Sequence, residues 1–389
     1  MLAAPPLSLY VHLPWCVRKC PYCDFNSHAV PARGVPEAAY LDALLDDLEF
    51  AARDCERRPL VSIFFGGGTP SLFSADSIGR VIGRAVRRLD AVADLEVTLE
   101  SNPGTVERGR FAAYRDAGVN RVSLGAQSFS NRQLAALGRI HARDETLAAV
   151  DELRSAGIDN FNLDLMYALP EQSLDEALAD LEQAIALGPA HLSHYQLTLE
   201  PGTAFERRPP RLPDDDTAYA MQDACQARLA SAGYQHYEVS AYAQPGRECR
   251  HNLNYWRFGD YLGIGAGAHG KVTDAARGRV IRTARVKQPG RYLAAAQPAA
   301  RLDEVREVAA ADLVFEFCLN ALRLREGFGA ASFESHTGQP WSAIAGSVAA
   351  AVDRGLLAAG TGGHWVPTEL GARFLNDLQA MFLPGTAGT

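Results

Sequence analysis

Short β-rich runs alternate with longer amphipathic stretches through the first 240 residues of the chain. Runs read as strands lie at LSLYVHL (7–13), VSIFFGG (61–67), LEVTLES (95–101), RVSLGA (121–126), FNLDLMY (161–167) and HLSHYQLTL (191–199). Segments with apolar residues at helical spacing fill the intervals at 36–57, 74–90, 105–117, 143–156 and 173–187, and another follows at 214–232. Strands alternating with helical segments mark parallel βαβ units. Gly118, Gly157 and Gly188 each stand between a helical run and the next strand, where a C-terminal glycine cap is expected. Six such units predict an α/β fold, an open (β/α)6 partial TIM barrel, over residues 1–240.

The pattern then changes. Residues 241–302 are rich in glycine, arginine and aromatic residues and read as loops and short strands closing over the barrel, not as a further βα repeat. From 303 to 389 the chain turns helical, and DRGLLAAGTGGHWVPTELGARFLNDL follows. A helix ending at Arg354-Gly355, an apolar pair, a Gly-rich turn and a last helix predict a small, mostly helical, winged-helix-like accessory domain.

Winged helices often bind DNA, but no basic recognition helix stands out here. The 389 residues carry a net charge of −8 without a basic block, which argues against nucleic acid as a partner and against a DNA-binding, redox-sensing regulator. A hydrophobic content of 47% supports substantial cores. The opening MLAAPPLSLY has no basic stretch followed by an apolar core. No apolar run approaches about 18 residues. The expectation is a cytoplasmic protein without a membrane span, for which peripheral membrane contact stays open.

The chemistry concentrates at residues 10–28, YVHLPWCVRKCPYCDFNSH, where Cys16, Cys20 and Cys23 form a C-x3-C-x2-C array directly after the first strand. Of seven cysteines, the remaining Cys55, Cys225, Cys249 and Cys318 are scattered singly, a pattern of reducing compartments. Clustered thiolates are the ligands of iron–sulfur clusters. Three cysteines on a [4Fe–4S] cluster leave one iron open to the amino and carboxylate groups of S-adenosylmethionine (SAM). Structural zinc is the competing reading, but it generally takes two separated ligand pairs, and no second C-x2-C or H-x3-H follows at short range.

In α/β barrels the reactive groups sit at the C-terminal ends of the strands. There the second strand runs into Gly66-Gly67-Gly68-Thr69-Pro70, whose missing side chains let a ligand approach the backbone. Glu100 closes the third strand, Gln127 follows the fourth, Arg139 lies in LGRIH, and Asp164 sits within the fifth. Buried carboxylates at Glu100 and Asp164 need cations, hydroxyls or a ligand. SAM offers an ammonium, a sulfonium and ribose hydroxyls; a structural salt bridge is the alternative for each.

The stretches YVHLPWCxxxCPYCDF, FFGGGTPS, LESNP, GAQSF, LGRIH and NLDLMYALP resemble the oxygen-independent coproporphyrinogen III oxidase family of the radical SAM superfamily, over most of the chain. The resemblance implies cluster ligation by Cys16, Cys20 and Cys23. It implies SAM contacts from Tyr10, Tyr22, Gly67, Gly68, Thr69, Glu100, Gln127, Arg139 and Asp164, with Gln127, Arg139 and Asp164 offered to a second SAM. Two features depart from the oxidases: Phe25 stands where their motif continues to a fourth cysteine, and only six residues precede the first strand where they carry a long segment. Both departures, with CDFNSH and HNLNYW, are similar to the HemW-type haem chaperones.

HNLNYW supplies His251, Asn252, Tyr255 and Trp256. Histidine can ligate haem iron and aromatics can pack on a porphyrin face, and the stretch reads equally as a buried aromatic turn with hydrogen-bonded His and Asn. Cys249 and His28 are weaker ligand candidates. Residues 265–270, GAGAHG, form a G-x-G-x-x-G that follows no clear Rossmann strand and opens no evident helix. They read as a close backbone approach, with His269 structural. The resulting expectation is a haem chaperone carrying a [4Fe–4S] cluster, SAM and haem as cargo, which it delivers to an acceptor such as a respiratory haemoprotein. The alternative is a SAM-dependent coproporphyrinogen III oxidase that decarboxylates propionates oxidatively.

Overall fold

The computed structural model describes residues 2–53, 55–104 and 109–384. The six expected strands form as β1 (Leu7–Leu13), β2 (Pro59–Gly67), β3 (Asp90–Ser101), β4 (Arg121–Gln127), β5 (Phe161–Tyr167) and β6 (His191–Gln196). They pair in parallel in that order. Every residue of β4 is buried, and so is every residue of β1 except the half-buried Tyr10. Both strands nevertheless alternate apolar residues with buried polar ones, such as Ser8 and His12 in β1 and Arg121, Ser123 and Gln127 in β4.

The connecting helices are α1 (Glu37–Ala51), α2 (Ala75–Arg88), α3 (Phe111–Asp116), α4 (Arg143–Ser155), α5 (Leu174–Ala186) and α6 (Asp215–Ser231). Residues 105–108 of the expected third helix lie outside the described residues, as do residues 1 and 385–389 of the terminal units. Ser173 caps α5 in a reciprocal box with Glu176. Gly118, Gly157 and Gly188 adopt positive φ (108°, 73° and 55°) at helix ends, as the sequence predicts.

The region after residue 240, expected as loops and short strands without a further βα repeat, does hold short strands but also adds such a repeat. Strands β7 (Gln235–Glu238) and β8 (Ala241–Ala243) extend the sheet antiparallel beyond β6. Helix α7 (Arg250–Trp256) then leads into β9 (Asp260–Ile264), which pairs in parallel with β1 on its other side. This is one more helix–strand unit, and it carries HNLNYW on a helix. Strands β10 (His269–Asp274), β11 (Arg279–Arg285) and β12 (Leu302–Glu307) continue antiparallel.

Among the described residues the sheet therefore has twelve strands, in the order β12-β11-β10-β9-β1-β2-β3-β4-β5-β6-β8-β7, and it is open. The boundary expected after residue 240 falls between two of its strands, and the boundary expected after 302 falls inside β12. Glycines hide this region's strand character because β9 and β10 approach closely. A Cβ at Gly263 would lie 1.8 Å from the carbonyl oxygen of His269.

Asp260, fully buried at the start of β9, anchors the late strand to the early sheet. It takes Arg58 Nη1 at 2.5 Å and Lys271 Nζ at 2.6 Å.

Beyond the sheet, α8 (Ala310–Ala321) and the helices Ala330–Thr337 and Ala345–Asp353 accompany a small sheet of β13 (Phe328–Gly329), β14 (Leu357–Ala359) and β15 (His364–Pro367). The β14–β15 hairpin is the expected wing. Phe317, Phe328, Phe333 and Leu378 form a core that also takes Phe258 from the α7–β9 turn. Among the described residues no helix is long and apolar enough to cross a membrane.

Candidate functional site

The cysteine loop is closed by its own backbone. Trp15–Cys16 pairs with His28–Ala29 in a short parallel ladder. Lys19 Nζ donates to the carbonyls of Phe25 (2.9 Å) and Ser27 (3.4 Å), folding the intervening arc back on itself. The three cysteines are half-buried and unpaired. Each sulfur meets a polar group: Thr69 Oγ1 donates to Cys16 (3.5 Å), Arg139 Nη1 donates to Cys20 (3.6 Å), and Ser27 Oγ lies 3.8 Å from Cys23. Burial pushes the Cys16 and Cys23 thiols up. Donors aimed at sulfur suit metal-bound thiolates, whose charge they share, so the residues present fit an iron–sulfur cluster.

Over this loop lies a cavity of about 540 Å3, lined by the three cysteines, Tyr22, Gly67, Gly68, Thr69, Glu100, Gln127, Arg139 and Asp164. Eight of the nine residues expected around SAM therefore surround one space. Tyr10 does not line it; its hydroxyl bonds His12 Nδ1 at 2.8 Å on the far side of Gly67.

Sequence reasoning missed Asn102, Gly125 and Tyr195, which organise the wall. Asn102 Nδ2 donates to Thr69 Oγ1 at 3.0 Å and its Oδ1 accepts from Arg139, while Arg139 Nη2 also donates to the Gly125 carbonyl at 2.8 Å. Tyr195 OH donates to Gln127 Oε1 at 2.9 Å. Gln127 holds φ = 65°, a left-handed conformation that costs a non-glycine residue on the order of 1 kcal/mol or more. Asn102 stands within the LESNP stretch, the one signal for it in the sequence.

Gly67 and Gly68 are also required by close packing within the chain. A Cβ at Gly68 would lie 2.5 Å from the Trp15 carbonyl oxygen, and one at Gly67 would lie 2.5 Å from the His12 ring. Their bareness lets the cysteine loop and His12 approach β2.

Two carboxylates share the cavity. Glu100 Oε2 accepts from the Gly67 N–H at 3.2 Å, and among the described residues no ion pair reaches it. Burial, reinforced by the charge of Asp164, raises the Glu100 carboxyl to about 8. Asp164 is also raised by burial, although Asn162 and Ser123 donate to it at 2.8 and 3.2 Å. Buried carboxylates short of positive charge fit a cationic ligand, which SAM is.

A second cavity, of about 850 Å3, lies on the opposite side of Gly67 and Glu100. Its walls are Tyr10, Phe64, Tyr255, Trp256 and Tyr261, with His28, His269, Arg282 and Lys287 among its polar residues. Phe25, 62% exposed, and Lys19 line both cavities.

HNLNYW divides between two environments. Tyr255 and Trp256 line the larger cavity; His251 and Asn252 do not. His251 is 6% exposed. Its Nδ1 lies 2.8 Å from Cys249 Sγ and 3.4 Å from Glu96 Oε1, and the Phe64 ring packs against it tilted by 37°, with centroids 4.0 Å apart. Asn252 Nδ2 donates to Tyr237 OH at 3.2 Å. Desolvation works to raise Glu96, but the His251 hydrogen bond and the Arg121 charge outweigh it and bring the carboxyl down to about 2. His251 and Asn252 thus sit in the first turn of α7, which Cys249 precedes, and their side chains are hydrogen-bonded on the side away from the larger cavity.

Residues 10–184 match the radical SAM superfamily, and residues 308–374 match the HemN C-terminal domain. The chain is 49% identical to the heme chaperone HemW of Escherichia coli, over 98% of this chain and 100% of that one. It is 48% identical to the heme chaperone HemW of Haemophilus influenzae, over 97% and 98% respectively. The solved structure of coproporphyrinogen III oxidase (HemN) from Escherichia coli, a radical SAM enzyme, matches with a TM-score of 0.80 at 22% identity, covering 97% of this chain and 90% of that one. That likeness establishes the shared fold.

Proposed function

The chain belongs to the HemW family within the radical SAM superfamily, and from that membership we propose that it is a haem chaperone. Haem enters the larger cavity, beside a [4Fe–4S] cluster and SAM in the smaller one, and passes to an acceptor haemoprotein. The observation that carries this reading is the shared wall: an aromatic-lined cavity of about 850 Å3 meets the cysteine cavity at Gly67, Glu100 and Phe25. Its volume lies within the roughly 300–1,000 Å3 of pockets that enclose cofactor-sized ligands.

Cys16, Cys20 and Cys23 hold the cluster. The Gly67 to Thr69 backbone and Glu100 hold SAM, with Gln127, Arg139 and Asp164 completing the wall. When bound, the cluster and SAM supply one-electron chemistry next to the porphyrin. Tyr255 and Trp256 present apolar surface to the macrocycle. All seven cysteines are unpaired, which supports a reducing, cytoplasmic setting.

The test is anaerobic incubation of the reconstituted protein with SAM and reductant, once with haem and once with coproporphyrinogen III, followed by chromatography. Stoichiometric haem binding without decarboxylation is expected. Repeated turnover of the tetracarboxylate to the dicarboxylate would instead make the chain an oxidase.

A further inference from the structure

Several histidines come near the larger cavity, and their existing commitments distinguish them. His12 is engaged on both ring nitrogens, by Tyr10 OH at 2.8 Å and by the Asn26 carbonyl at 3.0 Å. His28 Nε2 lies 3.2 Å from Asn26 Oδ1. His251 is buried against Glu96 and Cys249. His269, at the start of β10, is exposed, lines the cavity, and among the described residues has no hydrogen bond to its ring. An imidazole must present a bare nitrogen lone pair to bind iron, so ligation at His269 breaks no existing contact.

The cations sort in the same way. Lys271 is held by Asp260, Arg282 by Glu316, and Lys19 by two backbone carbonyls. Lys287 lines the cavity with an ammonium that no hydrogen bond or ion pair occupies among the described residues.

The loop that carries His269 is held firmly. GAGAHG wraps against the cysteine loop: a Cβ at Gly267 (φ 87°) would lie 2.1 Å from Asn26 Nδ2, and one at Gly265 (φ 97°) would lie 2.3 Å from the His12 carbonyl oxygen. Asn26 Nδ2 donates to the carbonyls of Ala266 (3.0 Å) and Lys287 (2.9 Å), so one side chain ties the cysteine loop to the segments bearing both free groups.

We infer that His269 is the iron ligand for haem in the larger cavity and that Lys287 pairs with a haem propionate. This rests on the reading of that cavity as the haem site. A haem held through one accessible iron bond leaves by ligand exchange, which suits delivery to an acceptor.

The experiment titrates the full chain with haem and, separately, with metal-free protoporphyrin IX, which has no iron to ligate. The proteins are the wild type, His269→Ala, His269→Gly, His251→Ala and Lys287→Ala. The wild type and His269→Ala should bind the metal-free porphyrin equally. The histidine-ligated haem spectrum should disappear in His269→Ala, return in His269→Gly on adding imidazole, and persist in His251→Ala. Lys287→Ala should weaken both porphyrins by roughly two- to fivefold, the scale of an exposed ion pair. Uptake of both porphyrins with an unchanged haem spectrum in His269→Ala, or loss of that spectrum in His251→Ala instead, would overturn the ligand assignment and leave the chaperone reading standing. Failure of the wild type to bind either porphyrin would overturn both.

Discussion

Glu100 accepts a hydrogen bond from the backbone N–H of Gly67 at 3.2 Å, and this contact lies in the wall between the two cavities. A carboxylate with one neutral donor and no adjacent cation is poorly compensated in a buried position. The contact therefore couples the protonation of Glu100 to whatever charge occupies either side.

The first expectation follows directly. The Glu100 carboxyl rises from 4.5 to about 8 on folding, so the folded state holds a proton that the unfolded state releases. That contribution to stability is complete below the unfolded value and is lost as pH rises through about 8, at about 1.4 kcal/mol per unit. In the apoprotein, Glu100→Gln should match the wild type near the acid end of this window and become progressively more stable than it towards alkaline pH. Melting curves across the window check this; a stability difference that does not vary with pH would contradict it.

Among the described residues a single cysteine array lines the smaller cavity, so one [4Fe–4S] cluster per chain is expected after anaerobic reconstitution. Changing Cys16, Cys20 and Cys23 together to alanine should abolish it, as read by iron and sulfide analysis. Stoichiometric tetrahedral zinc in the purified wild type would show the array to be a different metal site.

Asp260 pairs with both Arg58 and Lys271 where all three are buried. Asp260→Ala leaves two cations without their partner, and removing one member of a buried ionic group costs roughly 3–5 kcal/mol. Urea unfolding should show a loss of that order, because β9 depends on this contact for its place beside β1. A loss within the range of an ordinary surface substitution would mean that water reaches the site.

His251 donates from its backbone to Glu96 Oε1 at 3.2 Å and packs its ring against Phe64. His251→Ala keeps the backbone bond but removes the ring, leaving buried polar groups of Glu96 and Cys249 less satisfied at a cost of about 1–3 kcal/mol. The expected outcome is a lowered unfolding midpoint with unchanged stoichiometry of metal-free porphyrin. Lost porphyrin binding at full stability would place the ring at the ligand.

The sequence by itself determined the parallel core and the cysteine array. Both are local signals: apolar runs long enough for strands buried on both faces, glycine caps such as Gly118 and Gly157, and Cys16, Cys20 and Cys23 close enough in the chain to meet on one loop. The polar residues that line the smaller cavity were legible because most of them end or follow a core strand, with Asp164 inside one, and strand ends converge. Tertiary structure alone decided the rest. That β9 lies beside β1 depends on pairing such as Leu7 with Asp260 across most of the chain, and on the buried charges of Arg58 and Lys271. Which parts of HNLNYW face a cavity depends on what packs against α7: Glu96 and Cys249 claim His251, whereas Tyr255 and Trp256 reach the open side. His269 follows a glycine-rich turn that Asn26, distant in sequence, ties to the cysteine loop, and among the described residues its ring has no hydrogen-bond partner. Periodicity and spacing encode which residues are buried and which share a loop, but the partners that satisfy or spare a polar side chain come from elsewhere in the chain, and only the folded contacts show them.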